Sequence, residues 1–443
     1  MPKLQPKQPT LRPCDLLDTA KRVEVAPSLH RTTELLSPDI REVVTLDWHE
    51  IIGRRVVAKA SHKEGQVLWK ESPLVRFPSA TPVDRKVCVR CLSTDRATCG
   101  CPVTWVDSID RGSLSGKDSL LLCHLASRND MGRLAKVLNL WAGPLTEHHR
   151  CSAKEAAAVI PSELGWTVEV LQSCCRVLDG NAHYGADDNT RNLFFGASLL
   201  EHSCNPNAFV FVHGREASVI AQVPISIGEP VSVSYIDPFA PATIRRQLLS
   251  AKFSFHCYCP VCTDSVDRAR AFHCDLCGGM VYGRSDRATG YTNCMSCGAQ
   301  QDTSDLALLE SSAEEILLSG SVEQEDWQKP ARMADGNWLL AKSAAREIHR
   351  LTREQPTRYD ADNSGLIIAQ ASVVLTAHRI YWRREYPVYV WSAVKRAVLS
   401  LCPTADGDVY IAAEVRDGPD NNSFTELLDT YRRIKILLFG CPS

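Results

Sequence analysis

Two hydrophobic rhythms alternate along the chain. Around Val56 the apolar residues come in short β-branched runs, Val56-Val57-Ala58 and then Val67-Leu68-Trp69, separated by a Glu64-Gly65 turn; this predicts strands. Residues 117–180 change to helical spacing, and Leu171, Cys174, Cys175 and Leu178 fall at i, i+3, i+4 and i+7 to make one apolar face. Short strands return at Phe209–His213, Ser218–Val223 and Val231–Tyr235, punctuated by His213-Gly214 and Gly228-Glu229. From Asp305 the helical period resumes, with Leu306, Leu309 and Ala313, then Leu339–Ile348, then Leu366–Tyr381. Residues 1–44 start Pro-rich without sustained periodicity and read as a flexible tail leading into a short helix or turn. The pattern is that of a mixed helix-and-strand chain with no clear internal repeat.

Composition narrows the class. The chain has 443 residues, 44% apolar and 23% charged, which excludes a mainly disordered or fibrous protein. At about 150 residues per domain, roughly three domains are expected. A net charge of −2 supplies no global basic field for nucleic acid. Met1–Pro13 carries Lys3, Lys7 and Arg12 without an apolar core, so it does not read as a secretory signal. No apolar run is long enough for a membrane span.

Nineteen cysteines are the unusual feature, and they cluster at CxC and CxxC spacings. Without a secretory signal this favours zinc ligation over disulfides, and places the expected compartment in the nucleus or cytoplasm. Cys274-x2-Cys277-x16-Cys294-x2-Cys297 supplies the four thiolates of a structural zinc. Gly278 and Gly298 follow the second cysteine of each pair and permit the tight turn that aims backbone N–H groups at sulfur. Cys257-x-Cys259-x2-Cys262 supplies three ligands; Cys204 is a candidate fourth, with His256, His273 and Cys274 as competitors. Cys88-x2-Cys91-x7-Cys99-x-Cys101 has the ligand count for one more zinc, but Val103–Ile109 follows without a second ligand set. Cys174 and Cys175 lie on the apolar helix face and read as core.

Several motifs then coincide. Gly53-Arg54-Arg55-Val56-Val57-Ala58 with Glu64-Gly65-Gln66-Val67-Leu68 resembles the opening of a SET domain. Glu201-His202-Ser203-Cys204-Asn205-Pro206-Asn207-Ala208 resembles NHSCxPNA, and Gly228-Glu229-Pro230-Val231-Ser232-Val233-Ser234-Tyr235-Ile236-Asp237 resembles GEExxxSYID. Cys257-Tyr258-Cys259-Pro260-Val261-Cys262 resembles the post-SET CxCxxC. Their order resembles the SMYD family of split-SET protein-lysine methyltransferases. Leu164-Gly165-Trp166 with Val177–Ala182 looks most like the arthropod SMYD-A proteins.

The resemblance covers roughly residues 45–300 and implies an α+β fold. In this reading residues 1–44 are a tail, 45–80 the first part of the SET domain, 81–117 a degenerate MYND-like finger and 118–180 a helical insert. Residues 181–256 complete the SET domain, 257–302 form post-SET and zinc-ribbon segments, and 303–443 form an all-helical C-terminal domain. The resemblance also implies that Cys204, Cys257, Cys259 and Cys262 share one zinc.

The implied activity is methyl transfer from S-adenosylmethionine to a lysine of a histone or non-histone protein. The sulfonium is already a good leaving group, so the protein has chiefly to align a neutral amine with the methyl carbon. The resemblance makes Tyr235 the catalytic candidate, its hydroxyl orienting that amine; outside the motif it reads as a strand tyrosine. Asn181 would hold the cofactor's amino-acid end, or simply end a helix. His202 would flank the adenine and Phe255 would stack on it, although each also reads as packing. Arg54 would pair with the cofactor carboxylate, or be a solvated turn residue. Glu201 stands where the family has asparagine, Arg55 replaces a family glycine, and Phe253 stands where the family often has tyrosine. Glu201 and the degenerate finger favour the competing reading, a SET-fold scaffold or repressor with chromatin partners and weak or no catalysis, whereas Tyr235 and Asn181 favour the enzyme. Direct nucleic-acid binding and membrane association are not expected.

Overall fold

Gly53 takes φ of 84°, a value costly for other residues, and turns the chain after His49–Ile52 into an antiparallel hairpin. The hairpin pairs β1 (Val44–His49) with β2 (Gly53–Ala58). In the computed structural model the described residues are 12–13, 29–78, 100–101, 106, 114, 117–184, 190–286, 290–319, 332–354, 361–382, 391–401 and 421–439. They fall into two units. The first comprises Met1–His202, Pro206–Val233 and Ser250–Phe255; the second comprises Ser203–Asn205, Ser234–Leu249 and His256–Ser443.

In the first unit, strands distant in sequence pair with one another. β3 (Val67–Glu71) lies antiparallel to β9 (Glu216–Ala221), which also pairs with β8 (Ala208–His213). β4 (Val75–Pro78) pairs with β6 (Thr190–Leu193), and β5 (His183–Tyr184) pairs with β6 on its other edge. β7 (Glu201–His202) and β10 (Ser232–Val233) form a short parallel pair. Val231 donates its N–H to Val56 O at 2.8 Å, and Ala58 donates to Glu229 O at 3.0 Å. β9 is flanked on both edges, and every residue from Ala217 to Ala221 is buried; that is why it reads as a nearly continuous apolar run.

Among the described residues the short helices Leu29–Leu35 and Pro38–Val43 precede β1. The segment between β4 and β5 includes four helices, Lys117–Arg128, Met131–Leu138, Glu147–Val159 and Val168–Asn181. Asp130, Thr146 and Thr167 cap three of these by accepting from backbone N–H groups three residues on. The apolar face of Val168–Asn181 is buried, Cys174 and Cys175 included, and burial raises both thiols, Cys175 to about 12. They are core residues and not reactive ones. Glu71 ties the sheet to the short turn Ala197–Leu199: its carboxylate accepts from Gly196 N at 2.9 Å and Ala197 N at 2.6 Å.

The second unit pairs β11 (Val266–His273) with β12 (Met280–Arg284), with a register break between Asp267 and Ala271. Among the described residues five helices follow: Thr303–Ser319, Trp338–Glu354, Ala361–Trp382, Trp391–Leu401 and Asn421–Phe439. Phe239 plugs their core, its ring 4.6 Å from that of His378 and 4.8 Å from that of Tyr381. Arg270 and Glu310 form a buried two-pronged ion pair, with the Tyr291 hydroxyl donating to the same carboxylate.

Candidate functional site

Asn181 is the last residue of the helix Val168–Asn181. Its side-chain amide donates to Val177 O and to Trp141 O, both at 2.8 Å. Both amide hydrogens are thereby used on the protein, which fixes the side chain and leaves Oδ1 as the atom suited to a cationic donor. Two residues before Trp141, Asn139 receives the Arg54 guanidinium on both its backbone and its side-chain oxygen, each at 3.2 Å. Arg54 and Asn181 thus grip the same short segment between the helices Met131–Leu138 and Glu147–Val159.

Trp141 extends the group. Its ring lies 6.0 Å from Phe253, Phe253 lies 6.4 Å from Phe255, and Phe255 lies 5.9 Å from His202. An unbroken series of side chains therefore links Asn181 to His202 through three aromatic rings, all in the first unit. Ser254 holds φ of 59° between Phe253 and Phe255, in the left-handed region. Gly180 and Gly143 leave room for the indole: a Cβ at Gly180 would lie 2.9 Å from Trp141 Cζ3, and one at Gly143 would lie 3.2 Å from it. The sequence reading missed Asn139 and Trp141. Their signal was weak, an exposed tryptophan followed by Ala142-Gly143 just beyond a helix.

Glu201 lies beside this group on β7. Its Oε2 is buried without a hydrogen-bond partner. Burial raises its pKa and the Arg55 charge opposes the rise. Arg55 itself is engaged with Asp47, from Nη2 at 2.8 Å. Tyr235 belongs to the second unit and is 37% exposed.

Among the described residues, two groups of metal-ligating side chains stand out: Cys204, Cys257, Cys259 and Cys262, and Cys274, Cys277, Cys294 and Cys297. Within each quartet all four sulfurs lie within 4.8 Å of one another. Closest pairs include Cys204–Cys262 at 3.5 Å, Cys277–Cys294 at 3.6 Å and Cys274–Cys297 at 3.8 Å. Tetrahedral Zn–S bonds of about 2.3 Å put sulfurs roughly 3.8 Å apart, whereas a disulfide needs about 2.05 Å. Both quartets fit a zinc ion. Cys204, and not His256, His273 or Cys274, completes the first.

Backbone geometry supports the thiolate form. Gly278 and Gly298 turn the two knuckles at φ of 70° and 72°. N–H groups of Leu276, Gly279, Ser296 and Cys297 then donate to sulfur at 3.4–3.5 Å. Donation from Cys297 N is the main cause that lowers the Cys294 thiol to about 6. Gln301 adds a side-chain donor to Cys274 Sγ at 3.3 Å. Cys88, Cys91 and Cys99 of the expected finger lie outside the described residues; Cys101 alone of that set is described, and it is half-buried.

Comparison with known proteins now bears on this geometry. The family model of the SET domain matches residues 53–236. The chain carries a SET domain. Short stretches of the chain are similar to curated proteins. N-lysine methyltransferase SMYD2 of Homo sapiens is 39% identical over 71 residues, 16% of each chain. SET domain and MYND-type zinc finger protein 6 of Schizosaccharomyces pombe is 38% identical over 63 residues, 14% of this chain and 13% of its own. Histone-lysine N-methyltransferase SET5 of Vanderwaltozyma polyspora is 33% identical over 86 residues, 19% of this chain and 17% of its own. The chain thus spans under a fifth of the length of the curated relatives it matches. The SET domain match covers both the Gly53 opening and the Glu201-to-Tyr235 motifs, so Arg54, Asn181, Glu201, His202 and Tyr235 all lie within it, and Phe255 lies beyond its end.

Proposed function

We propose that this chain is an S-adenosylmethionine-dependent protein-lysine N-methyltransferase of SMYD type, with a split SET domain and two structural zinc centres. The observation that carries the reading is the convergence of Arg54, Asn181, His202 and Phe255 on one segment and one series of rings, centred on Asn139 and Trp141. A cofactor with a carboxylate, an ammonium and a purine needs a cation, a fixed acceptor and flat apolar surface, and this group offers all three. When bound, S-adenosylmethionine supplies an activated methyl group. Asn181 Oδ1 would hold the cofactor ammonium, Arg54 would pair with its carboxylate, and Phe255 with His202 would hold the adenine. Tyr235 orients the incoming lysine amine by its hydroxyl. The target lysine enters as the neutral amine, which a desolvated channel favours. The two cysteine quartets hold zinc as structural centres and take no part in the transfer.

A second reading, a SET-fold scaffold without catalysis, draws on one observation: Glu201, in place of asparagine, keeps an unpartnered buried carboxyl oxygen. One experiment separates the two. Calorimetric titration of the full chain with S-adenosylmethionine and S-adenosylhomocysteine is followed by transfer of labelled methyl to histones and a protein panel. Saturable binding with lysine labelling supports the enzyme, and binding of neither ligand supports the scaffold.

A further inference from the structure

Arg245 is fully buried in the second unit, and its surroundings are not those of a simple ion pair. Its Nη2 donates to Cys262 Sγ at 3.9 Å. Its Nη1 donates to Ala240 O and, at 3.4 Å, to Tyr381 OH. The nearest carboxylate, Asp267, stands 4.0 Å away and already accepts from Ala242 N at 2.6 Å and Ala269 N at 3.3 Å. The neighbouring Arg246 reaches the same cysteine by another route, donating from Nη2 to Cys262 O at 2.7 Å. Tyr381 in turn donates to Pro238 O at 3.2 Å.

We infer that Arg245 is the outer-sphere counter-charge of the Cys204–Cys257–Cys259–Cys262 zinc centre. As a positioning residue it ties that centre to the turn after Tyr235 and to the helix Ala361–Trp382. The inference rests on the zinc part of the reading above. Four thiolates around a divalent zinc leave a net charge of −2, and that charge is costly away from water. A guanidinium offset by one carboxylate and hydrogen-bonded to one of the sulfurs lowers that cost. Its planar fork serves two masters at once: one nitrogen faces sulfur while the other holds a carbonyl and a phenol. Lysine restores the charge but not the fork. The second quartet has a different outer sphere, in which neutral Gln301 donates to Cys274 and Arg332 donates to Gln301 Oε1 at 2.7 Å. It therefore serves as an internal control.

The test uses the full-length protein and metal alone. Zinc release is titrated with a chromogenic chelator, and the sites are reloaded with Co²⁺ to read thiolate-to-cobalt charge transfer. In Arg245→Met the Cys204–Cys257–Cys259–Cys262 centre should lose roughly 10–100-fold in affinity, the usual scale for outer-sphere partners, while the other is unchanged. The charge-transfer band of that same centre should shift. Arg245→Lys should recover part of the affinity. Should Arg245→Met fail to fold, Arg245→Lys decides the matter: with the charge kept and the fork lost, the Cys204–Cys257–Cys259–Cys262 centre should bind zinc more weakly than in the wild type, and unchanged affinity and band overturn the assignment. A wild-type chain that binds no metal at the first quartet overturns the zinc reading itself. Wild-type binding with an unaltered Arg245→Met centre, in affinity and band, overturns only the role given to Arg245.

Discussion

The side chain of Asn181 donates to the backbone oxygen of Trp141 at 2.8 Å, joining the end of one helix to the loop after another, 40 residues apart. The bond places an indole against Gly180, the residue before Asn181, and leaves 39% of the tryptophan exposed. An aromatic surface and a fixed amide oxygen are thereby held side by side. Neither element would position them alone, because the helix supplies one and the loop supplies the other.

Gly180→Ala tests that arrangement. Alanine at a helical glycine ordinarily stabilises by up to about 1 kcal/mol. Here its Cβ would meet Trp141 Cζ3 at 2.9 Å, so the ring has to move. The expected outcome is no gain in Tm, a shifted tryptophan emission and weaker S-adenosylhomocysteine binding. A stabilised protein with unchanged emission would show that the ring is not held against this helix.

Glu201 gives a prediction with a definite sign. Burial raises its folded pKa above the unfolded value. The folded protein therefore holds the proton more tightly. That contribution to stability is present below the unfolded pKa, and is lost as pH rises through the folded one. Glu201→Gln should raise Tm at pH 7, and the difference should vanish below about pH 4. Thermal melts of both proteins across pH 3.5–8 provide the check.

The same residue bears on the cofactor. An ionised carboxylate only accepts hydrogen bonds and repels a second carboxylate, whereas asparagine is neutral and can also donate. Glu201→Asn should therefore tighten S-adenosylmethionine binding in calorimetry. Equal affinity would mean that the carboxyl does not face the ligand, and absence of binding by both proteins would favour the scaffold.

Metal content follows from the sulfur geometry. Purified protein should contain at least two equivalents of zinc, and Cys204→Ser and Cys274→Ser should each remove about one. Elemental analysis giving fewer than two equivalents in the wild type would count against both centres.

In the second unit, Arg270→Met should destabilise by roughly 3–5 kcal/mol, because it strands the Glu310 carboxylate, whose side chain is 12% exposed. The double variant Arg270→Met/Glu310→Met should recover most of the loss in urea unfolding. A single variant as stable as the wild type would show the pair to be dispensable.

What the sequence by itself determined was local. The CxxC knuckles with Gly278 and Gly298, the apolar face Leu171–Leu178 and the hairpin turn at Gly214 are set by spacings of a few residues, because turn angles and helical period are properties of neighbouring backbone. Cys204 lies far from Cys257 in the chain, and by spacing alone it competed with His256, His273 and Cys274. The motif resemblance singled it out, and the folded chain brings its sulfur to 3.5 Å from that of Cys262. Asn139, Trp141 and Arg245 left no decisive mark in the sequence, since an asparagine, an exposed tryptophan and a helical arginine are each commonplace. Their roles arise from partners 85, 40 and 17 residues away, Arg54, Asn181 and Cys262. The same holds for Glu201: the substitution is legible as a departure from a motif, but its raised pKa is not. That depends on which side chains exclude water from the carboxyl, and distant segments supply that exclusion only when the tertiary structure packs them together.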